Sequence, residues 1–415
     1  MEFCRLTKEE YAAFAAQHPY RTFLNLPESL ETRSHSGDTV EFFGVRRDGE
    51  LVCATPLVSQ PAMKIYRTYY AQRGFLIDYG DRELLRFFTK ELCAYAKANK
   101  GLVLTADPYV LYRERDIDGE PVPGGFCRDD VVEALKDAGF THKGFTRGYT
   151  NASQNRWMFS LYLKGRSEDE IYKQFDEQTR WSVNKTIKQG IKVRELPLEE
   201  IDIYTKMMDE TAERRGFESR SHRFYKDFVE TYGDHCKLLL AYLDLNEFRD
   251  RLAEEKTALL AEIAEMDERL ATMPNNKKAK NKKRVAEEAL ALNEKKAAEA
   301  DELEKAHGSV LNMATSCFTV YDNEIVYLFS GTDDTFRKYN APYAIHWDMI
   351  RRAIALGIDR YNFYGISGLF GKDEDGYGVY AFKRGFGGVV EELVGDFYIP
   401  LRPMMYKVYA RKNHE

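Results

Sequence analysis

Hydrophobic positions recur with helical and strand-like periods along this 415-residue chain, and the changes of period divide it into parts. Between Asp81 and Gly101, the residues Leu85, Phe88, Leu92 and Tyr95 share one face of a helix that Asp81 can cap and Gly101 can end. The strand-like run "LVLTADP" follows it. The same order returns in the second half. There Pro342 suits a first helical turn, Tyr343, Trp347, Ile350 and Ile354 form the apolar face, Gly357 ends the helix, and "DRYNFYGIS" reads as a strand. Two units running strand, amphipathic helix, strand, loop predict two copies of one mixed α/β domain. A further helix starts at the capping box of Ser167 and Glu170 and is expected to continue into a basic stretch with Arg180, Lys185, Lys188, Lys192 and Arg194. Such a helix is more often a solvated face than a binding surface.

One segment breaks with this pattern. From Arg249 to His307 there is no aromatic residue and no glycine, and Ala, Glu, Leu and Lys dominate, the composition of long helix. Leu245, Leu252, Leu259 and Met266 recur every seven residues, with Ile263 and Leu270 in the second seam position. Val285, Ala289, Leu292, Leu303 and Ala306 form a weaker returning stripe after the breaker "MPNNKK". Two helices joined there predict an antiparallel hairpin roughly 40 Å long at about 1.5 Å per residue. Strand-like sequence flanks it on both sides, so this arm is an insertion within a domain.

Composition bounds the remaining possibilities. The length exceeds what a single core usually supports, and 44% hydrophobic with 13% aromatic content predicts a folded chain. A formal charge of -6 means that any affinity for nucleic acid must be local. The cysteines Cys4, Cys53, Cys93, Cys127, Cys236 and Cys317 are scattered without a C-x-x-C pair, which predicts reduced thiols, a cytoplasmic setting and no metal site. Acids in "MEFCRLTKEEYAAF" and the absence of a long apolar run predict neither a secretory signal nor a membrane span.

No phosphate-binding P-loop, nucleophile elbow, H-E-x-x-H or dinucleotide fingerprint occurs, and no histidine pair has ligand spacing on one helix. Polar residues at strand ends and beside glycines remain. Asp107, in "DPYV" after the strand, is either a turn cap or a working carboxylate. In "YAFKRGFGG", Phe382 and Lys383 sit beside Gly385, Gly387 and Gly388. A surface lysine on a β-bulge and a lysine in a loop that lets substrate approach the backbone fit that window equally.

Five ordered blocks carry a resemblance: "FLNLPESLETR", "YYAQRGFLIDYGDRELLRFFTKELCAYAKANKGLVLTADPYV", "FDEQTRWSVNKTIKQGIKVREL", "YAIHWDMIRRAIALGIDRYNFYGISG" and "YGVYAFKRGFGGVVEELVGDFYIPL". They resemble the segments of the Fem family (FemABX and MurM-like transferases), arm included. The resemblance implies an α/β (α+β) fold of two GNAT-like acyltransferase domains with the helical coiled-coil arm inserted in the second. Expected boundaries are 1–150 for the first domain, 151–246 with 308–415 for the second, and 247–307 for the arm, the C-terminal segment packing back on the first domain. It implies an enzyme that moves Gly, Ala or Ser from aminoacyl-tRNA to the stem-peptide lysine amine, or to the growing bridge, of a peptidoglycan precursor, lipid II or UDP-MurNAc-pentapeptide. An activated ester needs orientation, removal of a proton and oxyanion stabilisation, so no cofactor or metal is expected and none of the usual catalytic triads is needed. The acetyl-CoA turn R-x-x-G-x-[GA] of ordinary GNAT enzymes is absent; "RRDGEL" and "RGFGGV" both fail at the last position.

Carried over by position, Phe382 and Lys383 correspond to the family's Phe-Lys pair at the transfer site, and Asp107 to its aspartate acting as base or positioning the amine. Arg33 and Arg220, the latter chosen over Arg215, correspond to basic residues on the precursor diphosphate, and Tyr327 to a substrate-contacting tyrosine. The arm resembles the tRNA-binding hairpin of seryl-tRNA synthetases in shape. Its tip cations, Lys277, Lys278, Lys280, Lys282, Lys283 and Arg284, suit tRNA phosphates, an anionic membrane surface or plain solvation. The basic, amphipathic C-terminal segment suits peripheral contact with the cytoplasmic membrane face. Homo- or hetero-oligomers with related transferases fit the family, and a non-catalytic GNAT-like scaffold that binds precursor or a partner transferase is the alternative function.

Overall fold

The computed structural model describes residues 1–149 and 154–413, so the boundary expected at 150/151 lies outside the described residues. In chain order the strands are β1 (Glu2–Leu6), β2 (Thr39–Arg47), β3 (Glu50–Ala62), β4 (Tyr66–Ala71), β5 (Gly101–Ala106), β6 (Leu111–Glu114), β7 (Thr141–His142), β8 (Trp157–Tyr162), β9 (Lys192–Glu195), β10 (Cys236–Asp244), β11 (Val310–Val320), β12 (Glu324–Thr332), β13 (Arg360–Ile366), β14 (Val389–Leu393) and β15 (Phe397–Pro400). They form a 7-stranded sheet in the order β1-β2-β3-β4-β5-β15-β7 and an 8-stranded sheet in the order β6-β14-β8-β13-β12-β11-β10-β9. Each sheet holds one parallel pair, β4 with β5 and β12 with β13. A parallel pair requires a crossover, and each is joined by one of the helices predicted from the apolar spacing, Arg82–Ala98 and Ala341–Ala355. Asp81 caps the first, accepting from the Leu84 amide at 2.9 Å. The mixed α/β duplication is therefore present in the fold.

The two sheets exchange strands. β6, from the N-terminal half, pairs with β14 at one edge of the second sheet, while β15 lies between β5 and β7 of the first. Each sheet keeps its own apolar core, and a third core joins them, with Tyr11, Leu30 and Leu76 from the first half meeting Tyr204, Phe228 and Leu240 from the second. The C-terminal helix Pro403–Asn413 lays Tyr406 against Leu102 and Val103 and leaves Met404 and Val408 exposed. Among the described residues no helix is long and apolar enough to cross a membrane.

The single helix expected from Ser167 into the basic stretch is two, Glu168–Gln174 and Glu177–Gln189. Asp176 breaks it, because its side chain caps the second helix through the Thr179 amide at 2.7 Å and its own amide donates to the Gly385 carbonyl at 2.8 Å. The last basic residues belong to β9.

The arm consists of helices Leu245–Thr272 and Lys277–His307. Leu245, Leu252 and Met266 are buried as the heptads predict, but the returning stripe differs: Val285 and Leu292 are 52% and 53% exposed, and Ala279, Ala286, Asn293 and Ala300 occupy the seam. Alanines let the helices approach closely, so the larger side chains of the first helix fill the space and those of the second turn outward. Asn293 donates to the Leu252 carbonyl and to Glu255 Oε2, both at 3.1 Å, and a buried asparagine of this kind fixes seam register. Ala286→Leu should overpack the seam and destabilise the arm by about 1–3 kcal/mol, read as faster hydrogen exchange of arm amides. Val285→Ala should stay within about 0.5 kcal/mol; the opposite order of effects would restore the larger-residue seam.

Candidate functional site

Phe382 and Lys383 lie on the last turn of the helix Tyr377–Arg384, neither in a bulge nor in a glycine loop. The glycines after them serve contact within the protein. A Cβ on Gly385 would meet Thr179 Oγ1 at 2.2 Å, and one on Gly388 would meet the Ser160 carbonyl at 2.3 Å, so this run seats the helix end against a neighbouring helix and β8. Lys383 is thereby driven inward. It is 5% exposed, and its Nζ donates to the Gly365 carbonyl at 2.6 Å. Burial without a counter-charge brings its ammonium down to about 7.

Above Lys383 the aromatic residues converge on His346, which occupies the apolar face of the helix Ala341–Ala355. Its ring lies 5.3 Å from Phe382, 4.5 Å from Tyr327 and 5.2 Å from Phe363. Nδ1 hydrogen-bonds the Tyr361 hydroxyl at 2.7 Å, while the buried Nε2 has no hydrogen-bond partner among the described residues. Burial, with Lys383 nearby, pushes the imidazole down to about 3, so it stays neutral. Tyr327 closes the group from β12, its hydroxyl donating to Ser330 Oγ. Phe382, Lys383 and Tyr327 are thus brought together, with His346 as their shared neighbour.

Phe382 also lines a cleft of about 530 Å³, together with Arg214, Arg215, Arg337, Asn340 and Tyr343. Arg214 donates to the Thr332 carbonyl at 3.1 Å and to its hydroxyl at 2.8 Å. Arg215 and Arg337 make no ion pair among the described residues. Asp333 and Asp334 also line it, Arg214 lying 3.9 Å from Asp334, so the positive excess rests on the unpaired Arg215 and Arg337, which with the aromatic wall suit an anionic ligand with a planar group.

Asp107 stands at the end of β5, 3% exposed. Its Oδ1 accepts from the Arg73 backbone amide at 2.8 Å, and Arg73 Nη1 lies 3.4 Å from Oδ2. Burial raises its carboxyl to about 6 against the opposing pull of the Arg73 guanidinium. It has no direct contact with Lys383, but a short relay connects their surroundings. Arg73 Nη2 donates to the Asn155 carbonyl at 2.8 Å, the Asn155 amide packs on Gly365, where a Cβ would sit 2.1 Å from Nδ2, and Gly365 accepts from Lys383. β13 departs from regular pairing with β8 between Asn362 and Gly365, with Tyr364 at φ 64°. Tyr109, in the same loop as Asp107, bonds Arg360 and Asn362 of the second sheet.

The remaining predicted residues lie elsewhere. Arg33, on the helix Pro27–His35, pairs with Asp38 at 2.6 Å. Arg220 is exposed just before the helix His222–Tyr232 and stacks on Phe224 at 5.3 Å. Those two helices pack together, but among the described residues neither arginine bonds or stacks with Phe382, Lys383 or Asp107. The tip cations are at the far end of the arm, where Lys282 pairs with Glu262 at 3.4 Å, Lys283 with Asp267 at 2.5 Å and Arg284 with Glu288 at 2.6 Å. Arg73 and His346 were not among the residues singled out in the sequence. A histidine on an otherwise apolar helical stripe was the signal for one; nothing local marks the other.

The FemAB family matches residues 6–413. Aminoacyltransferase FemA of Staphylococcus aureus strains bovine RF122 / ET3-1 and N315 is 35% identical over 411 residues, covering 99% of this chain and 98% of the relative. A crystal structure of FemX superposes with a TM-score of 0.83 at 27% identity, over 98% of this chain and 99% of that one. The tandem GNAT protein from the clavulanic acid biosynthesis pathway shares the fold, with a TM-score of 0.51 at 11% identity over 97% and 99% of the two chains. The paired mixed sheets are thus of the GNAT-like type. The chain belongs to the FemAB family, and it is an enzyme of the aminoacyltransferase class.

Proposed function

We propose that the protein transfers Gly, Ala or Ser from aminoacyl-tRNA to the stem-peptide lysine amine, or to the growing bridge, of a lipid-linked or UDP-linked peptidoglycan precursor, building the interpeptide bridge without a cofactor. The observation that carries this reading is the cationic cleft that ends on Phe382 with Lys383 buried behind it, in a FemAB chain whose S. aureus relatives are named aminoacyltransferases. The amine nitrogen attacks the ester carbonyl, a C–N bond forms, and the bond from the carbonyl carbon to the ribose oxygen breaks. That oxygen leaves with the electron pair and takes up a proton. Lys383 keeps two N–H donors beyond its bond to Gly365, and as a cation it would favour the developing oxyanion. Asp107, ionised at neutral pH, would accept the ammonium proton or hold the amine through its Arg73 frame. Arg33 and Arg220 would take the precursor diphosphate, and Tyr327 would hold the aromatic wall behind Phe382.

Purified protein given the precursor and a mixture of glycyl-, alanyl- and seryl-tRNA should yield a lengthened stem peptide by mass spectrometry, together with free tRNA. No mass increase with any of the three would contradict the proposal.

Asp107 is ionised only above about 6, and Lys383 is protonated only below about 7. A transfer that uses both should therefore rise with pH through the first value and fall through the second. Asp107→Asn should lower the rate about tenfold and abolish the rising limb. Lys383→Met should lower it by about two orders of magnitude and abolish the falling limb. Unchanged transfer by a folded Lys383→Met protein would instead favour a non-catalytic scaffold.

A further inference from the structure

A second pocket, of about 460 Å³, opens at the base of the arm between the helix Glu177–Gln189 and the returning arm helix. Its walls are apolar and aromatic, with Trp181 52% exposed and Leu292 53% exposed beside Phe248. Its rim is cationic. Lys188, Lys295 and Lys296 line it and make no ion pair among the described residues. Lys185 lies 4.8 Å from the Trp181 ring centre, and Glu299, the one acid in the lining, is paired with Lys338. An isolated exposed tryptophan is ordinary, but one set in a concavity beneath unpaired lysines combines a stacking surface with phosphate-binding charge.

The arm tip offers a weaker case. Lys282, Lys283 and Arg284 are committed to carboxylates there, and although Lys277, Lys278 and Lys280 make no ion pair among the described residues, no aromatic residue or concavity accompanies them. The base pocket lies across a single turn from the cleft at Phe382. The turn Asp334–Tyr339 forms a wall of both, with Lys338 and Tyr339 facing the base pocket and Phe336 and Arg337 facing the cleft. That turn is held in place, since Lys185 Nζ donates to the Lys338 carbonyl at 2.6 Å and Asn340 Nδ2 to Ser182 Oγ at 3.2 Å.

We infer that the base pocket is an RNA-binding site. It takes the strand of the donor tRNA that leads away from the aminoacylated end, one base stacking on Trp181 and the adjoining phosphates meeting Lys188, Lys295 and Lys296. The inference rests on the proposed transfer reaction and locates its donor. A concave site walled by the arm admits an extruded base but not a flat bilayer, so the lysines are assigned to RNA and not to lipid headgroups.

The test uses the full-length protein with uncharged tRNA in fluorescence anisotropy titrations over a range of salt. Trp181→Ala should weaken binding about tenfold, with Trp181→Phe restoring most of it. The double variant Lys295→Ala, Lys296→Ala should lower the slope of log Kd against log salt by about 1.4, the value for two single-strand phosphates. In transfer assays both variants should raise KM for charged tRNA and leave KM for the precursor unchanged. The effect should exceed that of Lys277→Ala, Lys278→Ala, Lys280→Ala at the tip. Wild-type tRNA affinity in folded base variants, or binding of phosphatidylglycerol vesicles that the same variants abolish while tRNA binding persists, would overturn the inference. If base variants transfer as wild type does, this site falls and the reaction stands; a wild-type protein that binds no tRNA and transfers nothing overturns both.

Discussion

Arg360 lies between two buried carboxylates, 3.0 Å from Glu324 and 3.4 Å from Glu391, and the rest of the molecule is arranged around that group. The two acids are 1% and 2% exposed, so neither could remain charged there unpaired. Their other bonds come from separate parts of the chain: Ser160 at 2.8 Å and Tyr162 at 2.6 Å on Glu391, and Asn362 at 3.2 Å on Glu324. Tyr109 joins them from the loop after β5, through Arg360. A single buried charge cluster thus ties strands β8, β12, β13 and β14 of the second sheet to a loop of the first. Loss of one partner from such a cluster costs about 3–5 kcal/mol, because the others are left charged and dry.

That cluster also sets where the site can be. It holds β13 through Arg360 and Asn362; just beyond them the pairing with β8 shifts register, with Tyr364 in the left-handed region, and resumes at Gly365. Gly365 then meets Lys383 from one side and Asn155 from the other. On the first sheet, Tyr109 is fixed by the same cluster two residues beyond Asp107, while Arg73 holds Asp107 directly. The carboxylate and the ammonium are therefore positioned through one framework without touching. Separation suits them: a direct ion pair would pull the two titrations apart, whereas burial, opposed at Asp107 by the Arg73 guanidinium, brings them to about 6 and about 7.

What could be read in the sequence was what depends on neighbours a few residues apart. The crossover helices, the Asp81 cap and the extent of the arm follow from local spacing and formed as expected, whereas the first helix ends at Asn99 with Lys100 in the left-handed region, and Gly101 opens β5. The arm seam did not, because alanine carries little hydrophobic signal and Val285 and Leu292 outweigh it in any stripe count, although Ala279, Ala286 and Ala300 fit the geometry better. The run ending in Gly387 and Gly388 has the composition of an open loop, yet the space at Gly388 is taken by the Ser160 carbonyl, a contact set by residues 228 positions apart. β6 and β15, with four residues each, are too short to show alternation, so their exchange between sheets left no periodic trace. Arg73 is legible only through Asp107, its partner in a strand that sequence alone does not place beside it.

The distribution of charge follows the same logic of pairing. About half of the lysines and arginines have a carboxylate within ion-pair distance among the described residues, and at the surface such pairs contribute little to stability. The informative cations are those that lack a carboxylate partner and are buried or line a concavity. Lys383 lacks one because it is buried; Arg215 and Arg337 in the cleft, and Lys188, Lys295 and Lys296 at the arm base, lack one while facing solvent-filled concavities. Both concavities share the turn Asp334–Tyr339 as a wall, so these five unpaired cations lie on the two sides of one element. An extended polyanion can satisfy all of them at once, whereas a small anion can satisfy one side. The base of the arm, close to the globular core and shaped by the outward-facing Leu292, lies on the other side of that turn from the Phe382 cleft. Turning the larger residues of the returning helix outward, which the alanine seam permits, is what gives the pocket its apolar wall.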